Sequence, residues 1–180
     1  MKRCYLIRHC LPDFPGGQRY CLGRTDFPLG AEGLAQAEEV AGILPPVSRV
    51  YSSPLRRAVQ TAQAIGTPQL VEGLQELYAG DWDGLPFSEI KIRFPELYAA
   101  RGINPALPLP NGESDQAGLH RFQRAIVQCA RESPGDFALV SHGGILRLFL
   151  STLRPGFPKP GYGQIIPLSW NGSTFQLQED

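Results

Sequence analysis

The sequence predicts an α/β fold: a single three-layer α/β/α domain with a mostly parallel sheet and helices on both faces. Three observations support this prediction. Short apolar segments of strand length alternate with segments of helical periodicity, an order typical of parallel sheets. The chain has 180 residues, of which 42% are hydrophobic, enough for one domain with its own core. No internal repeat or boundary interrupts the pattern, so we expect one domain over residues 1–180.

The first part of the chain predicts two strands and two helices. Residues 4–7 form an apolar run that ends at His9, where prolines and glycines follow and exclude regular structure. Apolar positions recur at helical spacing over residues 30–44, and residues 49–52 indicate a second strand. The pair Ser53-Pro54 then predicts a helix start, because serine is a favoured N-cap and proline suits the first turn.

The rest of the chain continues the alternation of strands and helices. A good hairpin turn at Asn171-Gly172 predicts that the chain ends in two paired strands. Between the second helix and this hairpin, the predicted segments are a strand at 69–71, a loop at 73–86, helical segments at 87–100, a proline-rich connection at 102–112, a long helix at 114–131, a strand at 137–142 and a helix at 145–153.

Composition and charge argue against several classes of function. The formal net charge is zero, which gives no electrostatic support for a nucleic-acid or membrane partner. No apolar run approaches the roughly 20 residues that a membrane span needs, and the first residues do not resemble a signal peptide. Four cysteines without a CxxC pair and three histidines without zinc-ligand spacing predict no metal site. We therefore expect a cytoplasmic protein with free thiols.

Polar residues follow three of the predicted strands. In open parallel sheets the binding crevice lies beyond the carboxyl ends of the strands. Two apolar strands here end at His9 and His142, and a third ends just before Ser53 and the arginine pair 56–57. We expect one crevice to hold them all.

These residue types suit phosphoryl transfer. A phosphate monoester needs donors fixed around its oxygens and an in-line nucleophile. Arg8, Arg56 and His142 can supply the donors, backbone amides near Gly143 add partial positive charge, and a neutral His9 can supply the nucleophile. Each residue also has an ordinary structural role open to it: a packing histidine, a capping histidine or a solvated helix charge.

Four motifs in one order resemble a known family. They are RHC at 8–10, SSPLRRAVQTA at 52–62, ELYAGDWDG at 76–84 and SHGG at 141–144. Together they resemble the histidine phosphatase superfamily, also called the phosphoglycerate mutase-like family, over nearly the whole chain. The resemblance implies that His9 becomes phosphohistidine and that Arg8, Arg56 and His142 bind the phosphoryl oxygens. It implies no metal and no cofactor.

The resemblance also implies Glu76 as the proton donor and Ser53 as a pocket residue. A general acid is needed because an alkoxide leaves poorly, and a carboxyl group beside Leu77 and Trp82 suits that role. Asp81 and Asp83 are competitors, and only the family's spacing to the following glycine favours Glu76.

The chain departs from the family pattern after His9. Cys10 stands where the family usually has glycine, and Pro12 stands where it usually has threonine; an expected asparagine further on has no counterpart. A cysteine-phosphatase loop would need an arginine six residues after Cys10, but Gly16 stands there. Cys10 is therefore interpreted as a small packing residue near the pocket.

Two further segments resemble the alpha-ribazole phosphatase branch: RYCLGRTDFPL at 19–29 and PNGES at 110–114. In that interpretation Gly23 lets the backbone approach the substrate, and Arg24 contacts the part of it that is not phosphate. The alternatives left open are a broad-specificity phosphatase, a cofactor-dependent phosphoglycerate mutase, and a protein that binds a phosphorylated ligand without turnover. The partner is expected to be a small phosphorylated substrate, and a homodimer stays open.

Overall fold

The computed structural model describes residues 1–178, and within them six strands form one sheet with six α-helices around it. The strands are β1 (Lys2–Arg8), β2 (Arg49–Ser52), β3 (Pro68–Leu70), β4 (Phe137–Ser141), β5 (Ile165–Trp170) and β6 (Phe175–Leu177). The helices are α1 (Ala31–Ile43), α2 (Arg56–Ile65), α3 (Phe87–Arg93), α4 (Pro95–Ile103), α5 (Asp115–Glu132) and α6 (Gly143–Leu153).

The sheet is mostly parallel, which confirms the predicted fold class. Its strand order is β3-β2-β4-β1-β5-β6. The first four strands in this order run parallel to one another, whereas β5 pairs antiparallel with β1, and β6 pairs antiparallel with β5. The carboxyl ends of β1, β2 and β4 therefore meet at one edge of the sheet.

Helices cover both faces of the sheet because neighbouring strand residues point in opposite directions. Leu6 and Leu139 belong to the apolar cluster that contains the buried sides of α5 and α6. Ile7 and Val140, one residue further along the same strands, belong to the cluster that contains α1 and α2. This alternation produces the predicted three layers, with β1 and β4 buried at the centre.

The helix boundaries differ from the predictions at three places. Helix α2 begins at Arg56 rather than at Ser53, because Leu55 keeps an extended backbone with ψ of 135°. Helix α6 begins directly after His142, two residues earlier than predicted. The predicted helical region 87–100 consists of two helices separated at Phe94, since the residue before a proline avoids the helical conformation.

The long helix α5 agrees closely with its prediction. Ser114 is its N-cap, and the serine hydroxyl accepts a hydrogen bond from the backbone N–H of Ala117 at 3.1 Å.

Across residues 1–178, no helix is both long enough and apolar enough to cross a membrane.

Candidate active site

The site lies at the sheet edge where β1, β2 and β4 end. The register of the parallel strands places Arg8 opposite Ser141, so the residues that follow, His9 and His142, lie side by side. Their ring centroids are 5.1 Å apart. The structure therefore brings together the two histidines that the sequence places at strand ends.

A cavity of about 300 Å³ opens at this edge and exposes a mixture of charged and aromatic side chains. It is lined by Arg8, His9, Phe14, Arg19, Tyr20, Cys21, Leu22, Glu76, Phe87, Lys159 and Tyr162. A larger, open groove of about 840 Å³ runs along β5 and β6, and among residues 1–178 Arg154 is the one ionisable residue that lines it. The chemistry therefore belongs to the smaller cavity.

His9 presents one unprotonated ring nitrogen. Its Nδ1 lies 2.7 Å from the backbone oxygen of Cys10. Because a carbonyl oxygen only accepts hydrogen bonds, Nδ1 carries the proton and Nε2 keeps its lone pair. Burial, followed by the nearby charge of Arg57, holds the pKa of His9 well below its usual value. A neutral imidazole with a free Nε2 is the form required of a nucleophile.

The thiols near His9 are poorer nucleophiles. Cys10 is fully buried among α1 and α2, and burial raises its pKa above the ordinary value. Cys21 lines the cavity, but burial raises its pKa to about 12. Both side chains therefore stay as protonated thiols at neutral pH. Cys10 is a packing residue beside the site, as its sequence context indicated.

Arg8 is held by the segment that precedes β5. Its Nη1 donates a hydrogen bond to the backbone oxygen of Pro160 at 2.7 Å, and its guanidinium lies 3.8 Å from the ring centroid of Tyr162. Such a stacked contact orients a guanidinium while it keeps its charge. Neither Pro160 nor Tyr162 was among the predicted site residues, because each contacts Arg8 across about 150 positions of sequence.

The arginine that the structure places near His9 and His142 is Arg57, the second residue of α2, and not the predicted Arg56. Arg56 is exposed, and its backbone N–H donates to the Asp26 carboxylate at 2.6 Å. Arg57 is 0% exposed, and its charge acts on both His9 and His142. The missed signal was its spacing: Arg57 lies four residues before the buried Thr61 and therefore shares its helix face.

Arg57 is anchored by a loop that Asp83 holds from the other side. The guanidinium donates to the backbone oxygens of Thr25 at 2.7 Å and Gly23 at 2.9 Å. The Asp83 carboxylate accepts the N–H groups of Gly23, Arg24 and Thr25 at 3.2, 2.6 and 3.0 Å. Burial opposes ionisation of Asp83, yet the hydrogen bonds from Arg24 and Thr25 outweigh it and bring its pKa below the usual value.

Gly23 and Arg24 serve this loop and are not in the cavity lining, which corrects two predictions. A Cβ on Gly23 would lie 2.5 Å from the Asp83 carboxylate, so glycine is needed for the loop to approach Asp83 rather than a substrate. The Arg24 side chain donates to the backbone oxygen of Glu76 at 3.2 Å and pairs with Glu113 at 3.6 Å. It is turned to these acceptors and is absent from the cavity wall.

Glu76 lies in the cavity wall at the N-terminus of α6. Its carboxylate accepts hydrogen bonds from the backbone N–H groups of Gly144 and Ile145, both at 2.8 Å, and of Leu77 at 2.9 Å. A Cβ on Gly144 would lie only 2.8 Å from Glu76 Oε1, so glycine permits this close approach. The surroundings of the carboxylate are polar amides, not the apolar side chains that the sequence suggested.

The two competing acids have other tasks. Asp81 is exposed and accepts a hydrogen bond from the Asn111 side chain at 2.9 Å. Asp83 is engaged by the loop amides described above. Of the three carboxyl groups, Glu76 is the one that lines the cavity. The geometry therefore favours Glu76 as the candidate acid.

Ser53 lies behind the cavity, where it contacts His142. Its Oγ is 2.8 Å from His142 Nε2 and accepts the backbone N–H of Leu55 at 3.3 Å. Both Ser53 and His142 are fully buried, and neither lines the cavity. The prediction that Ser53 caps α2 was wrong, because Leu55 is the N-cap. The structure places the Ser53 hydroxyl on His142 rather than in the cavity wall.

Three buried nitrogens around His9 have no partner within residues 1–178: Arg8 Nε, Arg57 Nε and His142 Nδ1. Burial, followed by the charge of Arg57, holds the pKa of His142 well below its usual value. Buried donors normally find acceptors. A group with several anionic oxygens, such as a phosphoryl group, would satisfy all three at once.

Gly143, the first residue of α6, leaves space for two basic side chains. A Cβ at this position would lie 2.5 Å from Lys159 Cε and 2.9 Å from Arg8 Nε. Gly143 is predicted to bind substrate through its backbone, and this stays a prediction.

Within residues 1–178 no cluster of three or more histidine, cysteine, aspartate or glutamate side chains could hold a metal ion.

Comparison with known proteins adds the family context. The sequence profile of the histidine phosphatase superfamily (branch 1) matches residues 4–176. "Phosphoglycerate mutase-like protein 4" from Arabidopsis thaliana is 32% identical over 79% of this chain and 67% of its own length. The "Adenosylcobalamin/alpha-ribazole phosphatase" from Salmonella typhimurium is 31% identical over 84% of this chain and 79% of its own.

A solved structure extends the likeness to the fold. The mycobacterial glucosyl-3-phosphoglycerate phosphatase complexed with VO3 superposes with a TM-score of 0.85 at 26% identity. The match covers 99% of this chain and 98% of that one. These relatives carry different substrate names, so the likeness by itself leaves the leaving group open.

Proposed function

Because the chain belongs to the histidine phosphatase superfamily (branch 1), we propose that it hydrolyses phosphate monoesters through a phosphohistidine formed on Nε2 of His9. One observation carries this proposal: a neutral His9, with its free Nε2, stands in a cavity beside buried donors that lack protein partners. Its relatives include phosphatases, so hydrolysis is the expected reaction type.

In the first step, His9 Nε2 attacks phosphorus as the bond between phosphorus and the leaving oxygen breaks. The candidate acid Glu76 transfers a proton to that oxygen, which leaves as an alcohol. In the second step, water attacks the phosphohistidine, and the Glu76 carboxylate takes up the proton of the water. Phosphate departs, and both side chains return to their starting forms.

The phosphoryl oxygens are bound by Arg8, Arg57 and His142. The hydroxyl of Ser53 accepts from the Leu55 N–H, and we propose that it donates its own proton to His142 Nε2. This arrangement leaves the ring proton on Nδ1, which is the atom without a protein partner. Ser53 is therefore a positioning residue that orients His142 as a donor. The two guanidinium groups supply the positive charge that metal ions supply in other phosphoryl-transfer sites.

The cavity wall supports a ring-bearing leaving group. Phe14 and Tyr20 have nearly parallel rings, tilted by 4° with centroids 6.2 Å apart, and Phe87 completes an aromatic wall with them. A flat base could pack against such a wall. Together with the relative from Salmonella typhimurium, this favours alpha-ribazole 5'-phosphate of cobalamin synthesis as the first substrate to test.

Hydrolysis is favoured over the mutase reaction by the composition of residues 95–114. A mutase must retain a bisphosphate intermediate, and residues 95–114 hold only Arg101 as a basic residue. None of these residues lines the cavity. A binding protein without turnover is disfavoured because nucleophile, acid and donors are all present.

Location and oligomeric state stay predictions. The four cysteines are free thiols, as expected for a cytoplasmic protein. A homodimer also stays a prediction.

The test is phosphate release by chelator-treated protein from alpha-ribazole 5'-phosphate, 3-phosphoglycerate, phosphoserine and p-nitrophenyl phosphate. We expect hydrolysis that survives the chelator and an acid-labile phosphoenzyme that is absent from His9→Ala. His120→Ala is the matched control, because His120 lies outside the cavity. Full activity in His9→Ala would refute the proposed intermediate, and activity restored only by added metal would refute metal independence.

A further inference from the structure

The segment from Lys159 to Gly163 wraps around Arg8. The backbone oxygen of Pro160 accepts from the guanidinium, the Tyr162 ring stacks on it, and Gly163 N–H donates to the backbone oxygen of Arg8 at 3.0 Å. These three contacts come from within one segment of four residues, 160–163. They fix the backbone that carries Lys159 relative to the site.

The Lys159 side chain extends along the N-terminus of α6 into the cavity. Its Cε lies 2.5 Å from the position that a Cβ on Gly143 would occupy, and Arg8 Nε lies 2.9 Å from the same position. The absent side chain of Gly143 thus makes room for both basic groups. The side chain lines the cavity wall with His9 and Glu76, and it remains open to solvent there.

Within residues 1–178, Lys159 forms no ion pair, and its ammonium donates no hydrogen bond. The other two lysines lie outside the cavity: Lys2 donates to the backbone oxygen of Ala130 at 2.8 Å, and Lys91 is exposed on α3. Among the lining residues, Arg8, Arg19 and Lys159 are basic, whereas Glu76 is the one acid. The cavity therefore has an excess of positive charge that an anionic ligand would balance.

We infer that Lys159 is a further substrate-binding residue, whose ammonium donates a hydrogen bond to a nonbridging oxygen of the phosphoryl group. Its stem and Arg8 Nε contact the same glycine, so both groups can reach one side of a phosphoryl group bound at His9. An ammonium on a flexible stem acts as a mobile point charge for phosphate, while the guanidinium supplies fixed directions. The inference rests on the proposed function only in taking a phosphoryl group as the ligand.

The charges around the Lys159 ammonium agree with this role. The pKa of Lys159 is lowered, first by loss of hydration and also by the Arg8 charge, while the Glu76 carboxylate opposes this shift, so two charged groups of the site act on the ammonium. Arg19 also lines the cavity and faces the same ligand space. A dianionic phosphoryl group between Lys159 and Arg8 would relieve the repulsion between the two cations.

The experiment is calorimetric titration with inorganic phosphate of the wild type, Lys159→Met, Lys159→Arg and Lys91→Met. Met removes the charge and keeps the length of the stem, and Lys91 is the matched exposed lysine. We expect Lys159→Met to bind phosphate about 10- to 100-fold more weakly, the loss typical of a hydrogen bond to a charged group. Lys159→Arg should recover part of the affinity, and Lys91→Met should match the wild type.

The outcomes separate this inference from the proposed function, since phosphate binding needs no turnover. If the wild type binds phosphate and Lys159→Met binds it weakly, the inference holds even when no ester is hydrolysed. If the wild type hydrolyses esters while Lys159→Met keeps its phosphate affinity and kcat/KM, the inference is wrong. Absence of phosphate binding to the wild type would also overturn it. Circular dichroism and thermal melting of each variant show whether a loss of phosphate affinity reflects unfolding. If Lys159→Met is unfolded, the phosphate affinity of Lys159→Arg tests the inference instead.

Discussion

Arg56 and Arg57 are consecutive residues, yet Arg56 is exposed and Arg57 is completely buried behind His9. Each step along an α-helix turns the side chain by about 100°, so neighbours face different surroundings. We expect Arg57→Ala to lower kcat/KM by at least about 100-fold, because a charged donor to the phosphoryl group is lost. Steady-state kinetics with p-nitrophenyl phosphate measures this loss.

The matched control for that prediction is Arg56→Ala, which should retain activity within about threefold, as expected for an exposed charge. Arg57→Lys separates charge from geometry. A lysine ammonium keeps the charge, but it cannot bind the carbonyl oxygens of Thr25 and Gly23 and a phosphoryl oxygen at the same time, as the planar guanidinium can. Equal activities of the Arg56 and Arg57 alanine variants would show that the buried guanidinium does not take part.

Glu76→Gln should slow the hydrolysis of alkyl phosphates far more than that of p-nitrophenyl phosphate. An alkoxide must be protonated as it leaves, whereas p-nitrophenolate is stable without a proton. We expect a loss of about 100-fold or more for alkyl esters, within the usual range for general acid catalysis. Comparing both substrates on one variant controls for altered packing, since the Gln amide would face the Gly144 N–H that Glu76 now accepts. Equal losses on both substrates would remove the acid role from Glu76.

Ser53→Ala should weaken phosphate binding although Ser53 lies outside the cavity. Without the hydroxyl, His142 Nε2 loses its partner at 2.8 Å, and the ring proton is no longer held on Nδ1. We expect phosphate affinity to fall about 10-fold, which corresponds to one ordinary hydrogen bond. Nitrogen NMR of labelled histidine reports the tautomer of His142 in both proteins. An unchanged tautomer and unchanged affinity in Ser53→Ala would contradict the positioning role.

Asp83→Asn should lower the free energy of unfolding at neutral pH and make this free energy less dependent on pH in the acidic range. The pKa of Asp83 is lower in the folded protein than in the unfolded chain, so the unfolded chain binds the proton more tightly. The stabilisation is therefore complete above the unfolded pKa of about 4 and is lost as the pH falls through the lower folded pKa. The measurement is the free energy of unfolding in urea at several pH values.

We expect Asp83→Asn to lose about 1–3 kcal/mol at pH 7, because the loop amides that the carboxylate accepts lose their charged partner. Asp81→Asn is the matched control two residues away, since Asp81 is exposed and holds only Asn111. Loss of activity in Asp83→Asn should accompany the loss of stability, because the same loop carries the carbonyl partners of Arg57. A variant with wild-type pH dependence would show that Asp83 is not the group that titrates.

The features predicted correctly from sequence depend on neighbours along the chain. The strand at residues 49–52 and the N-cap at Ser114 follow from apolar patterns and capping residues within a few positions. His9 and His142 could be placed at one sheet edge because each directly follows an apolar strand, and parallel strands end together. The family motifs added Glu76, which the structure places in the cavity wall.

The incorrect predictions depend on contacts between distant parts of the chain. Choosing Arg57 over Arg56 requires the start of α2, which was shifted because Leu55 stays extended and Ser53 is directed at His142, 89 residues away. Gly23 and Arg24 were predicted to contact substrate because residues 19–29 resemble one branch of the family. Their partner Asp83 lies about 60 positions further on, so no local pattern indicated that contact. Contacts between such distant residues leave no local sequence pattern from which they could be predicted.

Sequence alone therefore determined the order of strands and helices, the fold class and the two histidines at the sheet edge, since these follow from local periodicity and from how strands end. Tertiary structure decided which arginine enters the site, what orients His142, and which distant segment brings Lys159 beside Arg8. The physical reason is that hydrogen bonds and charges act through space, and folding brings together donors and acceptors that lie up to about 150 residues apart.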